Sequence, residues 1–288
     1  MGRSHCLGLA LGIGLLVAIG SAQAANQPAA GRIAPQPVTF PGRDGLTLQG
    51  FLYEPAGPGP FPAVVAMHGC SGLTDKQGRP SERHADWGAR LAAQGFVVLF
   101  PDSYASRGLG AQCRVGDREV SPSRDRPGDA EAARDYLQTR PEVKPAAISL
   151  MGWSNGGSTV LYAVELKHVR KGAPDFARAV AFYPGCRVPL ETGKWATRMP
   201  LLILIGAADD WTAAQPCQDL AAAARAANQP VDITVYPGAY HDFDHPGLAV
   251  HTQAGLAFTA SGPGVVHTGT NPAARADALQ RVPAFLAR

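Results

Sequence analysis

A doubly wound, mostly parallel α/β sheet is the fold class that this sequence predicts, on three observations. Short, nearly continuous apolar runs recur at residues 63–67, 96–100, 148–151, 179–182, 201–205 and 231–235, as strands buried on both faces require. Segments of helical spacing lie between them, and alternation of strand and helix is the pattern of a parallel sheet with crossover helices. Earlier in the chain, residues 38–40 and 46–53 alternate around Asp44-Gly45, a hairpin signal that adds an antiparallel element at the start.

The helices follow from side-chain spacing. Trp87 and Leu91 fall on one face, as do Ala133, Tyr136 and Leu137, and then Val160, Leu161 and Val164. An alanine-rich stretch covers 217–227. The last helix is expected over 272–286, with Asn271 as N-cap and Pro272 at the first helical position. Two connections, 103–126 and 242–270, are longer than ordinary loops and are expected to be lids or site walls, or else poorly ordered. Both leave the carboxyl ends of strands, the side on which open α/β sheets bind ligands.

The chain has 288 residues, 45% hydrophobic and 17% charged, enough for a large core in one domain. The N-terminus reads as a signal peptide over residues 1–24. Arg3 supplies its charged start, residues 7–19 its apolar centre, and Ala22-Gln23-Ala24 its cleavage site. Residues 25–36 read as a flexible leader, and 37–288 as the folded domain. The mature protein is then expected in the periplasm or outside the cell, with no stable membrane anchor. Loss of Arg3 lowers the formal charge from +3 to +2 (25 basic against 23 acidic residues). So small a net charge, without basic runs, gives no ground for a nucleic-acid partner. A monomer is expected. Four cysteines remain after cleavage, Cys70, Cys113, Cys186 and Cys217. An even number in an oxidising compartment favours disulfides, with three pairings possible. No Cys/His spacing suits zinc, so neither metal nor organic cofactor is expected.

The chemistry is carried by Gly152-Trp153-Ser154-Asn155-Gly156, a G-x-S-x-G between an apolar run and a helix-like stretch. There the serine sits on a tight turn with its hydroxyl pushed above the sheet edge. A serine hydroxyl is a weak nucleophile and needs a histidine base, which in turn needs an orienting carboxylate. The chain supplies them in the expected order. After 201–205 come Asp209 and Asp210, and after 231–235 a Pro237-Gly238 turn leads to His241. Asp209 is preferred as acid, three residues beyond the strand-ending Gly206, with Asp210 as the alternative. His245 stands behind His241 as base. An oxyanion hole needs two converging backbone N–H groups. Asn155 is the candidate for one, and Cys70, in His68-Gly69-Cys70-Ser71-Gly72, for the other. His68 is expected to be structural.

These four segments together resemble the dienelactone hydrolase family of α/β hydrolases, from about residue 40 to the C-terminus. The resemblance implies the α/β-hydrolase fold and hydrolysis of a small carboxylic ester or lactone. Two departures stand out. Dienelactone hydrolases proper use a cysteine nucleophile, where this chain has Ser154, and carry a glutamate after the histidine of the oxyanion turn, where it has Gly69. In the family, arginines near the site bind a substrate carboxylate, which makes Arg107 a candidate beside the alternative of a solvated loop charge. Trp153 and Trp211 flank the triad in sequence and are candidates for an acyl-pocket wall, or for core packing. The cysteines follow strands at the carboxyl edge, two early and two late, and the expected pairs are Cys70–Cys113 and Cys186–Cys217. The resulting expectation is a serine esterase or lactonase. A peptidase or acyltransferase on the same triad, or a catalytically silent binding scaffold, remain as alternatives.

Overall fold

The computed structural model describes residues 1–2, 33–168 and 174–288. The expected signal peptide and most of the leader lie outside the described residues, and Gln36 at the leader's end already belongs to the first strand.

In chain order, β1 (Gln36–Pro41), β2 (Thr47–Tyr53) and β3 (Phe61–Met67) come first, then α1 (Glu82–Ala93), β4 (Val97–Asp102), α2 (Arg126–Gln138) and β5 (Val143–Trp153). They are followed by α3 (Asn155–Ala163), β6 (Ala179–Phe182), the short α4 (Arg187–Glu191), β7 (Leu201–Gly206), α5 (Ala214–Ala226) and β8 (Val231–Tyr236). The chain ends with β9 (His251–Leu256), β10 (Gly264–Thr268) and α6 (Pro272–Leu286). Eight strands form one sheet in the order β1-β2-β4-β3-β5-β6-β7-β8. Strand β2 runs antiparallel to both neighbours, and from β4 to β8 every pairing is parallel.

The burial of these strands explains their sequences. Every residue of β4, β6 and β7 is buried, as are the last five of β3. With helices on both faces, alternation gives way to runs such as Leu201-Leu202-Ile203-Leu204-Ile205. The helices present the faces their spacing predicts. Trp87 and Leu91 of α1 are fully buried, and Trp87 meets Phe182 of β6 edge-on, with ring centroids 5.3 Å apart. Burying a side chain of this size stabilises the fold by about 1.5–3 kcal/mol. Asn271 caps α6, its side-chain oxygen accepting from the Ala274 N–H at 3.1 Å.

The two long connections differ from expectation in content. Residues 103–126 hold a short 3-10 turn, Ala105–Arg107, before α2 opens at Arg126. The 242–270 segment is not an unstructured loop, because β9 and β10 pair as an antiparallel hairpin with a bulge between Gly264 and Val266. Most of β9 is exposed or half-exposed, so it lacks the apolar run that betrays a sheet strand. Helix α4 also escapes a sequence reading, being five residues long.

Strand β3 has β4 on one side and β5 on the other. Strand order reverses there, so the connections after β3 and β5 part at the carboxyl edge and open a crevice.

Candidate active site

Ser154 occupies the single residue between β5 and α3, with φ 53° and ψ −115°. This is a conformation that L-residues rarely adopt, costing on the order of 1–3 kcal/mol. The surroundings impose it. The Ser154 N–H donates to the Phe182 carbonyl at 2.9 Å, and the Ser158 N–H to the Ser154 carbonyl at 2.8 Å. Glycines make the turn possible. A Cβ on Gly156 would lie 2.1 Å from the Met67 carbonyl oxygen, and one on Gly152 would lie 2.4 Å from the Gly156 carbonyl oxygen.

The acid and the histidine stand on the turns after β7 and β8. Asp209 Oδ2 accepts from His241 Nδ1 at 2.9 Å. The same carboxylate accepts from the Trp211 and Thr212 N–H groups at 2.9 and 2.8 Å and from the Thr212 hydroxyl at 3.0 Å. Asp210 points elsewhere. It accepts from the N–H and Nδ1 of His267 in β10, at 2.9 and 2.8 Å. Of the two adjacent acids, Asp209 therefore meets the histidine, and Asp210 fastens the hairpin.

With Nδ1 donating to Asp209, Nε2 of His241 is the unprotonated nitrogen of the neutral ring. It is buried and, among the described residues, has no hydrogen-bond partner, and the ring lies between Tyr183 and Trp211, at centroid distances of 4.4 and 4.5 Å. Burial alone would lower the His241 pKa. The Asp209 carboxylate outweighs it by charge and hydrogen bond, with help from Asp242, and the pKa is raised above its ordinary 6.5. His245, half-buried, has its pKa lowered instead by burial and by Arg83.

A second layer fixes the histidine turn. Asp244, fully buried, accepts from Trp87 and Trp153 Nε1 at 2.7 Å each and from the Tyr183 hydroxyl at 2.6 Å. Arg83 pairs with Asp242. Burial pushes the Asp242 carboxyl up, but the Arg83 charge overrides it and holds the pKa well below the usual range.

The His68–Gly72 turn passes directly against the elbow. A Cβ built on Gly69 would lie 3.6 Å from Ser154 Cβ. His68 is fully buried and structural in its bonds. Its Nδ1 meets the Gly69 carbonyl at 2.8 Å, and Nε2 accepts from the Ser103 N–H at 3.1 Å. Burial and the neighbouring Arg126 lower its pKa well below 6.5. Cys70 and Asn155 line one cavity with Ser154, and Asn155 opens α3, where the first N–H groups have no partner in the helix.

That cavity measures about 210 Å³. Trp211, Val188, Pro216 and Phe258 give it apolar walls, and Arg118 lies on its border. Two expected contacts belong elsewhere. Trp153 is fully buried and stacked between Phe100 and Phe182, at 6.1 and 5.5 Å. Trp153 ends β5 inside this aromatic stack, so of the two tryptophans only Trp211 lines the cavity. Arg107 is held by Asp129 through two bonds of 2.9 and 2.8 Å and donates to the Ser103 carbonyl. A guanidinium so occupied is not free for a substrate carboxylate. Sequence reasoning missed Phe258 and Arg118, which pack together with the guanidinium carbon 4.6 Å from the ring centroid. The Ser261-Gly262-Pro263-Gly264 turn between β9 and β10 was the available signal for the hairpin that carries Phe258.

Both cysteine pairs are bonded, Cys70 to Cys113 and Cys186 to Cys217. Each places one cysteine on the cavity wall, Cys70 and Cys186. Among the described residues, no cluster of His, Cys, Asp and Glu is placed to hold a metal ion. No helix there is long and apolar enough to cross a membrane.

An eight-stranded sheet with one antiparallel strand near its start, and a serine elbow at its carboxyl edge, defines an α/β hydrolase. Within that class the chain belongs to the dienelactone hydrolase family, whose model matches residues 48–288. It is thus a hydrolase of ester or lactone bonds. Two curated relatives are both named "Putative carboxymethylenebutenolidase". The one from Synechocystis sp. is 26% identical over 72% of this chain and 85% of its own length. The one from Methylorubrum extorquens is 28% identical over 82% and 81%. Among solved structures, Thermogutta terrifontis esterase 2 superposes with a TM-score of 0.62 at 18% identity, covering 89% of this chain and 95% of that one. At that identity the likeness is one of fold.

Proposed function

We propose that this protein is an exported serine esterase or lactonase in which Ser154, His241 and Asp209 form the catalytic triad. The observation that carries the reading is the orientation of His241. Asp209 holds Nδ1, leaving Nε2 as a buried acceptor with no partner among the described residues, while Ser154 is strained into the elbow conformation.

In this mechanism His241 Nε2 takes the proton of Ser154 as Oγ attacks the carbonyl carbon. The carbonyl oxygen becomes negative facing the backbone N–H groups of Cys70 and Asn155. Asp209 stabilises the imidazolium. Collapse expels the alcohol, which takes the proton from Nε2, and leaves an acyl-enzyme on Ser154. Water, deprotonated by the same nitrogen, then releases the acid and restores the serine. Gly69 agrees with this route, since a histidine-activated serine has no need of the glutamate that dienelactone hydrolases proper carry there. A small cavity with apolar walls favours short or compact acyl groups.

Labelling with a fluorophosphonate probe tests the reading. The wild type should label and hydrolyse p-nitrophenyl acetate, and Ser154→Ala should do neither while keeping its fold. An active, unlabelled Ser154→Ala protein would overturn it. Export is part of the proposal, supported by two disulfides, which persist in oxidising compartments. Sequencing of the mature N-terminus should begin at Ala25.

A further inference from the structure

Arg126 opens α2 and is fully buried, yet the chemistry described above makes no use of it. Its guanidinium reaches three connections at the carboxyl edge. Nη2 donates to the His68 carbonyl at 2.7 Å, Nη1 to Asn155 Oδ1 at 2.5 Å, and Nε to the Ser103 hydroxyl at 3.2 Å. The Tyr104 hydroxyl donates to the same Asn155 Oδ1 at 3.2 Å, and its ring centre is 5.2 Å from the Arg126 guanidinium carbon. Asp129 and Asp102 act on its charge without a hydrogen bond to it among the described residues, and Asp129 is bound by Arg107.

These partners are not scattered. His68 lies two residues before Cys70 on the oxyanion turn, and Asn155 is the residue after the serine. One side chain is therefore bonded to both backbone segments whose amides must converge on a single oxygen. A buried guanidinium held by neutral oxygens is a costly way to fill space, and an apolar side chain would do that better. What the charge adds is a fork of fixed geometry and a positive potential in a water-poor setting, where such potentials act strongly.

We propose that Arg126 is the positioning residue of the oxyanion hole, setting the spacing between the Cys70 and Asn155 amides and lending positive potential behind them. It touches neither substrate nor reacting atoms. The proposal rests on the serine-hydrolase reading and predicts an effect on the transition state rather than on substrate binding.

The test compares wild type, Arg126→Met and Arg126→Lys, using kcat and KM for p-nitrophenyl acetate and the rate of fluorophosphonate labelling, with thermal unfolding as the check on folding. Arg126→Met should lower kcat by roughly 10²-fold, as loss of one oxyanion donor does, with KM within about threefold. Labelling should slow alongside kcat, because phosphonylation also builds charge on an oxygen in the hole. Arg126→Lys should recover about tenfold of the loss, keeping the charge and one bond but not the fork. Should Arg126→Met not fold, Asn155→Ala carries the test. It removes the acceptor of Nη1 and keeps the backbone N–H, and kcat should fall about tenfold with KM unchanged.

A folded Arg126→Met with kcat and labelling rate within about threefold of wild type would overturn the proposal alone. So would a loss confined to KM, or an unchanged kcat in Asn155→Ala where that variant carries the test. Failure of the wild type to label would overturn the underlying reading and this proposal with it.

Discussion

Ser154, Asp209 and His241 stand on short turns directly after β5, β7 and β8, whereas the part of the cavity wall made by Phe258 and Arg118 hangs from two long connections. On the first side, Asp209 alone accepts four hydrogen bonds, and Asp244 ties the histidine turn to two tryptophans and a tyrosine. On the second, the β9–β10 hairpin meets the 112–118 segment through few contacts. Ala257 N–H donates to the Cys113 carbonyl at 3.1 Å, Arg114 Nε to the Ala254 carbonyl at 3.2 Å, and Arg118 covers Phe258. The Cys70–Cys113 disulfide anchors that segment to the His68–Gly72 turn. Chemistry requires geometry good to fractions of an ångström and so is built on strand ends. A wall that selects substrates tolerates variation and can be carried by loops.

The comparison is sharpened by substitutions on each side. The largest effect is expected for Ser154→Ala, about 10⁴-fold or more in kcat/KM with the fold kept. Asp209→Asn should cost about 10³–10⁴-fold, because the histidine loses both its orientation and the charge that stabilises its protonated form. It should also move the pH profile. The raised His241 pKa means that the neutral base is lost as pH falls through a value above 6.5, so the wild-type acid limb should lie above that point. Without Asp209, burial dominates and the limb should shift to lower pH. An unmoved limb would reject Asp209 as the partner that tunes His241.

Smaller effects belong to the wall. Cys113→Ser should destabilise the protein by roughly 2–4 kcal/mol, as expected for a crosslink closing a loop of this length. Activity should fall several-fold at temperatures where the protein remains folded, and denaturant titration together with steady-state kinetics measures both. Phe258→Ala should leave hydrolysis of acetyl esters within about threefold of wild type and raise the relative rate for longer acyl chains, since it removes wall rather than machinery. A large loss of kcat for acetyl esters would break the division between the two sides.

The same division decides what the sequence made legible. Strands β3, β4, β6 and β7 announce themselves because burial on both faces leaves mostly apolar residues, and the elbow because only glycine fits at 152 and 156. Asp209 and His241 follow from chain order, since each stands past a later parallel strand, β7 or β8, at the same sheet edge as the elbow. Strand β9 is mostly exposed and carries no apolar run, so the hairpin's pairing with itself and its Phe258 contact are visible only in three dimensions. Trp153, Arg107 and Arg126 teach a related point. A residue's distance from the motif in sequence does not say whether its side chain faces the cavity, the core or another charge, and partners such as Asp244 and Asp129 lie 91 and 22 positions away.

The backbone of Ser154, at φ 53° and ψ −115°, carries one more consequence. Glycine enters that region without steric penalty, so Ser154→Gly would relieve the strain at the cost of the hydroxyl. Heat resistance and turnover therefore pull this one codon in opposite directions. A library sorted only for survival at high temperature should drift toward glycine there, and one sorted for ester hydrolysis should hold serine against that drift.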